Sequence, residues 1–192
     1  ENVEGLTMGE AKEYFNKIQN TFEQIGYLVV ADVLNASYFG VPQARKRCFF
    51  IGVREDVADK IGLNFMTMYQ LYPEPSKEQT TLGQAISDII NEDEEELKFL
   101  RDASGPDKAV GKTLHKMPLD PDKVLTGMDY HEKGHHFNLK RVSEYAPAPT
   151  LTAMGNGQTN AGAFHWNEPR KLTLGELKRI MSLPDDFKLT GK

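Results

Sequence analysis

Apolar residues recur at helical spacing between residues 7 and 25. Ala11, Phe15, Ile18, Phe22 and Ile25 are separated by four, three, four and three positions, with Lys, Gln and Asn between them. That stripe predicts an amphipathic helix. Thr7 is placed as its N-cap, with Glu10 at the capping-box position, and Gly26 as its C-terminal stop. A largely apolar run over 27–34 predicts a strand. A loop over 35–42, containing Gly40 and Pro42, leads to a second strand over 47–53. Helix, strand, short loop and strand suggest the end of an α/β sheet closed by a hairpin.

Beyond Arg54 the pattern weakens. Residues 55–80 read as irregular, with Pro73 and Pro75, and 81–90 as a short helix. Residues 102–166 are rich in Gly, Pro, Asn, His and Lys, with short strand candidates such as 149–153. They predict a small, loop-rich, mostly β module. Leu174, Leu177, Ile180 and Met181 share one face of a last helix over 173–182, and 184–187 read as a turn.

Composition narrows the class. The chain has 192 residues, enough for a core, and no apolar run approaches the ~20 residues of a membrane span. The first residues are acidic and lack a signal peptide's apolar stretch, and a start at Glu1 without methionine favours a fragment. One cysteine excludes an intramolecular disulfide framework and a Cys-based zinc site, and it fits a reducing interior. No metal site is expected; the adjacent His135 and His136 fit loop polarity. Net charge is −5, but 92–96 are all acidic, and outside that block the charges balance. The block reads as a solvated helix end or loop, and local basic patches remain free to meet phosphate.

Chemistry concentrates around the second strand. Side chains alternate along a strand, so an extended 43–48 puts Gln43, Arg45 and Arg47 on one face, roughly 6–7 Å apart. Two guanidiniums and an amide there suit phosphate and base edges; the competing reading is a strand entrance with solvated charge. Lys46 points the other way, to solvent. Cys48 heads the apolar run and is assigned to packing.

The order of motifs resembles the second half of the DNA cytosine-5 methyltransferases. Glu1-Asn2-Val3 is similar to the family's E-N-V. Residues 34–47, LNASYFGVPQARKR, are similar to its L-N-A-x-x-(F/Y)-G-V-P-Q-x-R-x-R block. Thr150-Leu151 stand for its T-L pair, RKLTLGE (170–176) for R-x-L-T-x-x-E, and LPDDF (183–187) for F-P-D-x-F, with Leu183 departing from the aromatic. The resemblance covers the ends of the chain better than the centre.

The resemblance implies the end portion of a Rossmann-like S-adenosylmethionine-dependent methyltransferase sheet over 1–56. A target recognition domain follows over 57–169, and a helix over 170–192 returns to the catalytic domain. The substrate would be a cytosine flipped out of double-stranded DNA. Glu1 would bond its N3 and N4 edge, aided by a pKa raised through burial. Arg47 would bond O2, Arg45 would meet phosphate or hold the loop, Gln43 would brace that array, and Asn2 would orient backbone. The family's nucleophile lies in P-C-Q, which this sequence lacks, as it lacks the Gly-rich cofactor loop and the final G-N-(A/S)-V-P; Gly155-Asn156-Gly157 reads as a turn. The chain is therefore expected to be inactive alone and to need its N-terminal half, in cis or as a separate chain. No membrane partner is expected, and the cytoplasm, near the nucleoid if bacterial, is the expected location.

For sequence recognition, 133–141 combine cations, histidines, an amide and an aromatic. Arg141 and Lys140 are candidates for base or phosphate contact, and His136 and Asn138 for base edges. Thr150 and Gln158 are further DNA-binding candidates, with the glycines of 153–159 allowing close approach. Lys108, Lys112 and Lys116 are candidate phosphate anchors, with plain surface solubility as the alternative. Arg170, Glu176 and Phe187 are expected to lock the module to the catalytic domain. Two other readings stay open: a non-catalytic specificity subunit of a split enzyme, and an RNA cytosine-5 methyltransferase of the same family.

Overall fold

A computed structural model describes residues 1–90, 93–135, 138–151 and 162–190. They divide into two compact units: Glu1–Asn35 with Lys46–Pro75, and Ala36–Arg45 with Ser76–Lys192.

The first unit is built on a three-stranded antiparallel sheet. Strand β1 (Asn2–Val3) leads into two short 3-10 turns, then helix α1 (Lys12–Gln24) and strand β2 (Tyr27–Asn35). The chain passes through β3 (Gln43–Ala44), which belongs to the second unit, and returns as β4 (Lys46–Arg54). The sheet order is β1-β4-β2, and the predicted hairpin is present: β2 and β4 pair from Tyr27↔Arg54 to Asn35↔Lys46. Thr7 does not cap α1. Gly9 takes φ +54, which breaks the helical path, so α1 starts at Lys12 and the Thr7 hydroxyl donates to the Glu4 carbonyl instead (2.9 Å). Gly26 ends the helix as expected, at φ +83. Phe15 of the apolar stripe packs on Phe50, with ring centres 5.3 Å apart, and Phe22 meets the edge of Tyr27.

Residues 55–71 are helical rather than irregular. Helix α2 (Glu55–Ile61) opens on Glu55 and Asp56, which suit the positive end of its dipole, and stops at Gly62. Helix α3 (Phe65–Met68) is held by a reciprocal cap between Asn64 and Thr67. The Tyr72 hydroxyl then donates to the Phe49 carbonyl of β4 (2.7 Å), tying this segment to the sheet.

In the second unit, Thr81 and Gln84 cap α4 (Leu82–Ile86), the short helix expected from 81–90. Within the acidic block, residues 93–96 form the cap and first turn of α5 (Glu94–Ala103), with Asp93 accepting from the Glu96 amide. Helix α6 (Ala109–Leu114) requires Gly111, where a Cβ would lie 1.7 Å from the Gly105 carbonyl oxygen. Strands β5 (Leu125–Thr126), β6 (Leu139–Arg141) and β8 (Gly162–Phe164) form one small sheet. Strand β7 (Ala148–Pro149) pairs in parallel with β3. The region read as loop-rich therefore holds small sheets and short helices together. Helix α7 (Leu174–Ile180) follows. Leu82, Ile86, Val142, Ala148, Trp166 and Ile180 share one apolar core, and Leu114, Met117, Leu139 and Phe164 a second.

Candidate functional site

Strand pairing assembles one candidate pair in the first unit. Asn2 lies opposite Cys48 and Val3 opposite Arg47 in the β1–β4 register. On an antiparallel pair, residues two apart share a face and long side chains reach diagonally. Arg47 Nε accordingly stands 3.3 Å from Glu1 Oε1, and its Nη1 donates to the Lys46 carbonyl (2.7 Å). The Glu1 side chain is 50% exposed. Asn2 Oδ1 accepts from the Val3 amide (2.8 Å). Lys46 is exposed and pairs with Glu4. Cys48 is fully buried, and burial pushes its thiol pKa up, the opposite of nucleophile activation.

The strand face predicted to carry Gln43, Arg45 and Arg47 together is interrupted. Arg45 lies between β3 and β4 and belongs to neither. The strand breaks there because β3 takes its partner from β7, not β2. Gln43 is fully buried and its Nε2 donates to Met181 Sδ (3.3 Å), so it braces the second unit and does not face a ligand. Arg45 is partly exposed.

The recognition candidates separate in the same way. Arg141 is 1% exposed. Its Nη1 donates to the carbonyls of His165 (2.9 Å), Trp166 (3.3 Å) and Glu168 (3.1 Å), and its Nη2 to that of Leu114 (3.1 Å). It is a structural bolt, not a DNA contact, because β6 alternation turns Leu139 and Arg141 inward together. Arg141→Ala is expected to destabilise the protein by about 3 kcal/mol, because buried carbonyls lose their donors; urea denaturation checks this. Lys140 occupies the other face of β6 and is half-buried, while Asn138 is exposed. Upstream, His131 and His135 stack with ring centres 5.0 Å apart, and His131 Nδ1 accepts from the Lys133 and His135 amides, shaping the turn. Lys108 pairs with Asp107 and Lys116 with Glu132, all at the surface. His136 and Gln158 lie outside the described residues. Thr150 is exposed and its hydroxyl donates to the Ala44 carbonyl (2.9 Å).

Arg170 and Glu176 meet as a buried bidentate pair, Nη1–Oε2 and Nη2–Oε1 both 2.9 Å. Glu176 Oε2 also accepts from the Thr173 amide (2.8 Å), and Thr173 Oγ1 accepts from the Glu176 amide, closing a capping box at the start of α7. T-x-x-E is the spacing of such a box, a signal the sequence reading used only as part of the R-x-L-T-x-x-E motif. Sequence reasoning missed His165, whose ring stacks on Trp166 with Nε2 3.6 Å from Glu176 Oε1; no local pattern marks it.

Comparisons with known proteins agree with the motif order. The sequence model of the C-5 cytosine-specific DNA methylases matches residues 1–192. The Type II methyltransferase M.NgoFVII of Neisseria gonorrhoeae is 34% identical over 204 residues, covering 100% of this chain and 50% of that protein. M.MthTI of Methanothermobacter thermautotrophicus is 40% identical over 201 residues, covering 97% of this chain and 55% of its own length. The chain thus spans about half the length of the curated relatives it matches. A solved prophage-encoded chain from E. coli, described as a candidate DNA modification methyltransferase, shares the fold at TM-score 0.58 and 19% identity, over 96% of this chain and 58% of that one. No helix among the described residues is long and apolar enough to cross a membrane. Motifs, fold and relatives converge, and the chain belongs to the C-5 cytosine-specific DNA methylase family.

Proposed function

We propose that this chain is the part of a DNA cytosine-5 methyltransferase that polarises a flipped cytosine and carries DNA-recognition residues. The observation that carries the reading is the Glu1–Arg47 pair, 3.3 Å apart across β1 and β4. A carboxyl and a guanidinium this close can meet neighbouring edges of one cytosine ring, Glu1 at N3 and the amino group, Arg47 at O2. Addition of a nucleophile at C6 moves negative charge onto N3 and O2. A proton held between Glu1 and N3, and the Arg47 N–H at O2, stabilise that charge where it develops. C5 then becomes the carbon that accepts the methyl group. Arg45 serves as a phosphate contact.

Cys48 does not supply the attacking thiolate, since it is buried with a raised pKa. That role is assigned to a P-C-Q cysteine outside residues 1–192. S-adenosylmethionine would supply the methyl group. This chain's residues do not fit its cradle. The two strand-to-helix junctions of the first unit, at Glu4 and at Glu55, lack the Gly-rich G-x-G loop on which such a cradle is built.

The test compares the complete methyltransferase with residues 1–192 alone, using labelled cofactor, duplex DNA and tRNA, followed by bisulfite mapping. Methylation of one duplex sequence by the complete enzyme, and none by the chain alone, is expected. Methyl transfer by the chain alone, or preference for tRNA, overturns the reading.

A further inference from the structure

Gln43 is an amide where an apolar side chain would cost less. It is 1% exposed, its Oε1 has no partner among the described residues, and its Nε2 donates to a sulfur, Met181 Sδ, at 3.3 Å. A thioether is a weak acceptor. An apolar residue would fill the same space without leaving a buried polar atom unpaired. Among the described residues, the bond to Met181 is all that satisfies this amide.

The backbone is fixed at both ends of that bond. Met181 closes α7: its amide donates to the Leu177 and Lys178 carbonyls (both 3.1 Å), and the Leu183 amide returns to the Lys178 carbonyl (2.9 Å). The Gln43 amide donates to the Val41 carbonyl (2.8 Å), and the Gln43 carbonyl accepts from the Arg45 amide (2.9 Å). These are two successive three-residue turns, the first centred on Pro42, whose ring-fixed φ suits it. Neither Cα is free to follow a sulfur that changes its bonding. The Gln43 side chain, and the turn it anchors, must take up the change, and Arg45 is the next residue out of that turn.

The sulfur is also within reach of solvent. Met181 is 48% exposed, whereas Met68 and Met117 are 0% and 3% exposed. One sulfur lone pair accepts the Gln43 N–H, and the other is left for a small oxidant.

We propose that Met181 is an oxidation site, taking one oxygen atom from a peroxide, and that its sulfoxide releases Gln43 and loosens the turn leading into Arg45. The sulfur lone pair attacks one peroxide oxygen. An S–O bond forms, the O–O bond breaks, and the leaving hydroxide departs as water with the proton of the transferred hydroxyl. Sulfur is oxidised and the peroxide reduced by the same electron pair. The new oxygen enters on the open side and draws density from the sulfur, which stops accepting from Gln43. The buried amide is then unpaired at both ends. Sulfoxide reductases reverse the step. The effect on rate rests on the methyltransferase reading above; the modification itself does not.

The test treats the complete methyltransferase with hydrogen peroxide and then with a thiol, which reverses sulfenic acid and disulfide but not a sulfoxide. Peptide mass spectrometry is expected to find sulfoxide at Met181 and at Met66, which is 83% exposed, and none at Met68 or Met117. Hydrogen exchange at the Arg45 amide rises about fivefold. The Val142 amide, bonded to the Phe164 carbonyl in the same unit, stays unchanged. The thiol-resistant loss of methylation kcat is about tenfold, and a methionine sulfoxide reductase restores both exchange and rate. Met181→Gln keeps an acceptor that peroxide leaves alone, so it shows no thiol-resistant loss although Met66 is still oxidised. Met181 left as thioether while Met66 is oxidised would overturn the proposal. So would an oxidised Met181 with exchange at Arg45 unchanged, faster exchange at Val142 as well, or the same thiol-resistant loss in Met181→Gln. Mass and exchange decide the claim even if the complete protein methylates nothing, an outcome that would sink the functional reading alone.

Discussion

Arg47→Ala in the complete methyltransferase is expected to lower kcat for methyl transfer about 10²–10³-fold, with duplex DNA affinity changed only a few-fold. The loss is large because Arg47 would bond O2 where negative charge appears during addition at C6, an interaction stronger in the transition state than in the bound substrate. Folding should hardly notice. Among the described residues Arg47 forms an ion pair with Glu1, whose side chain is 50% exposed, and a bond to the Lys46 carbonyl, and exposed ion pairs contribute about 0–1 kcal/mol. Arg47→Lys should recover part of the rate, since an ammonium restores charge without the planar fork. Single-turnover kinetics with labelled cofactor, beside equilibrium DNA binding, separate the two effects. Activity within a few-fold of the parent would remove Arg47 from the role assigned to it.

The largest stability effect is expected at the opposite end of the chain. Glu176→Ala should cost about 3 kcal/mol, because the Arg170 guanidinium, 1% exposed, loses its bidentate partner and keeps the partly exposed Glu168 (3.1 Å) and the Lys171 carbonyl. It also strips α7 of half its capping box. The same cluster sets the response to acid. Burial pushes the Glu176 carboxyl up, but hydrogen bonds and charge from Arg170, with the Thr173 amide, outweigh it and hold the group below the usual carboxylate range. Its stabilising contribution is therefore complete above the unfolded-state value of about 4.3 and is lost as pH falls through the lower folded value. Burial, and then the Arg170 charge, hold the neighbouring His165 imidazole below its ordinary value. The unfolded chain takes up that proton first, so stability begins to fall once pH drops below about 6.5. Both groups act in one direction: acid destabilises, first through His165 and then through Glu176. Urea denaturation from pH 8 to pH 3.5 checks this, and His165→Asn should flatten the upper part of the decline. A stability that rises on acidification through this range would contradict the ionisation states assigned here.

Hydrophobic spacing located α1, the β2–β4 hairpin and α7, because each carries its own apolar periodicity and a local stop signal. The helices of 55–71 were missed. Their signal is the Asn64–Thr67 cap and the acidic opening of α2, two short cues beside the more conspicuous Pro73 and Pro75. Thr7 was misassigned as a cap because the positive φ of Gly9 is a property of the folded backbone that composition does not announce.

The candidate site divides along the same line. Motif order along residues 1–187 was enough to place the chain in its family, and strand alternation together with solitary apolar context was enough to assign Cys48 to packing. Pairing partners were beyond its reach. That β1 lies on β4 and brings Glu1 to Arg47, that β3 leaves the β2–β4 sheet for β7, and that Arg141 turns inward onto four carbonyls all depend on contacts between distant segments. Local sequence carries the periodicity of an element and the chemistry of its side chains. Which neighbour it meets, and hence whether a cation faces solvent or the core, is settled only when the elements compete for the same buried surface in the folded molecule.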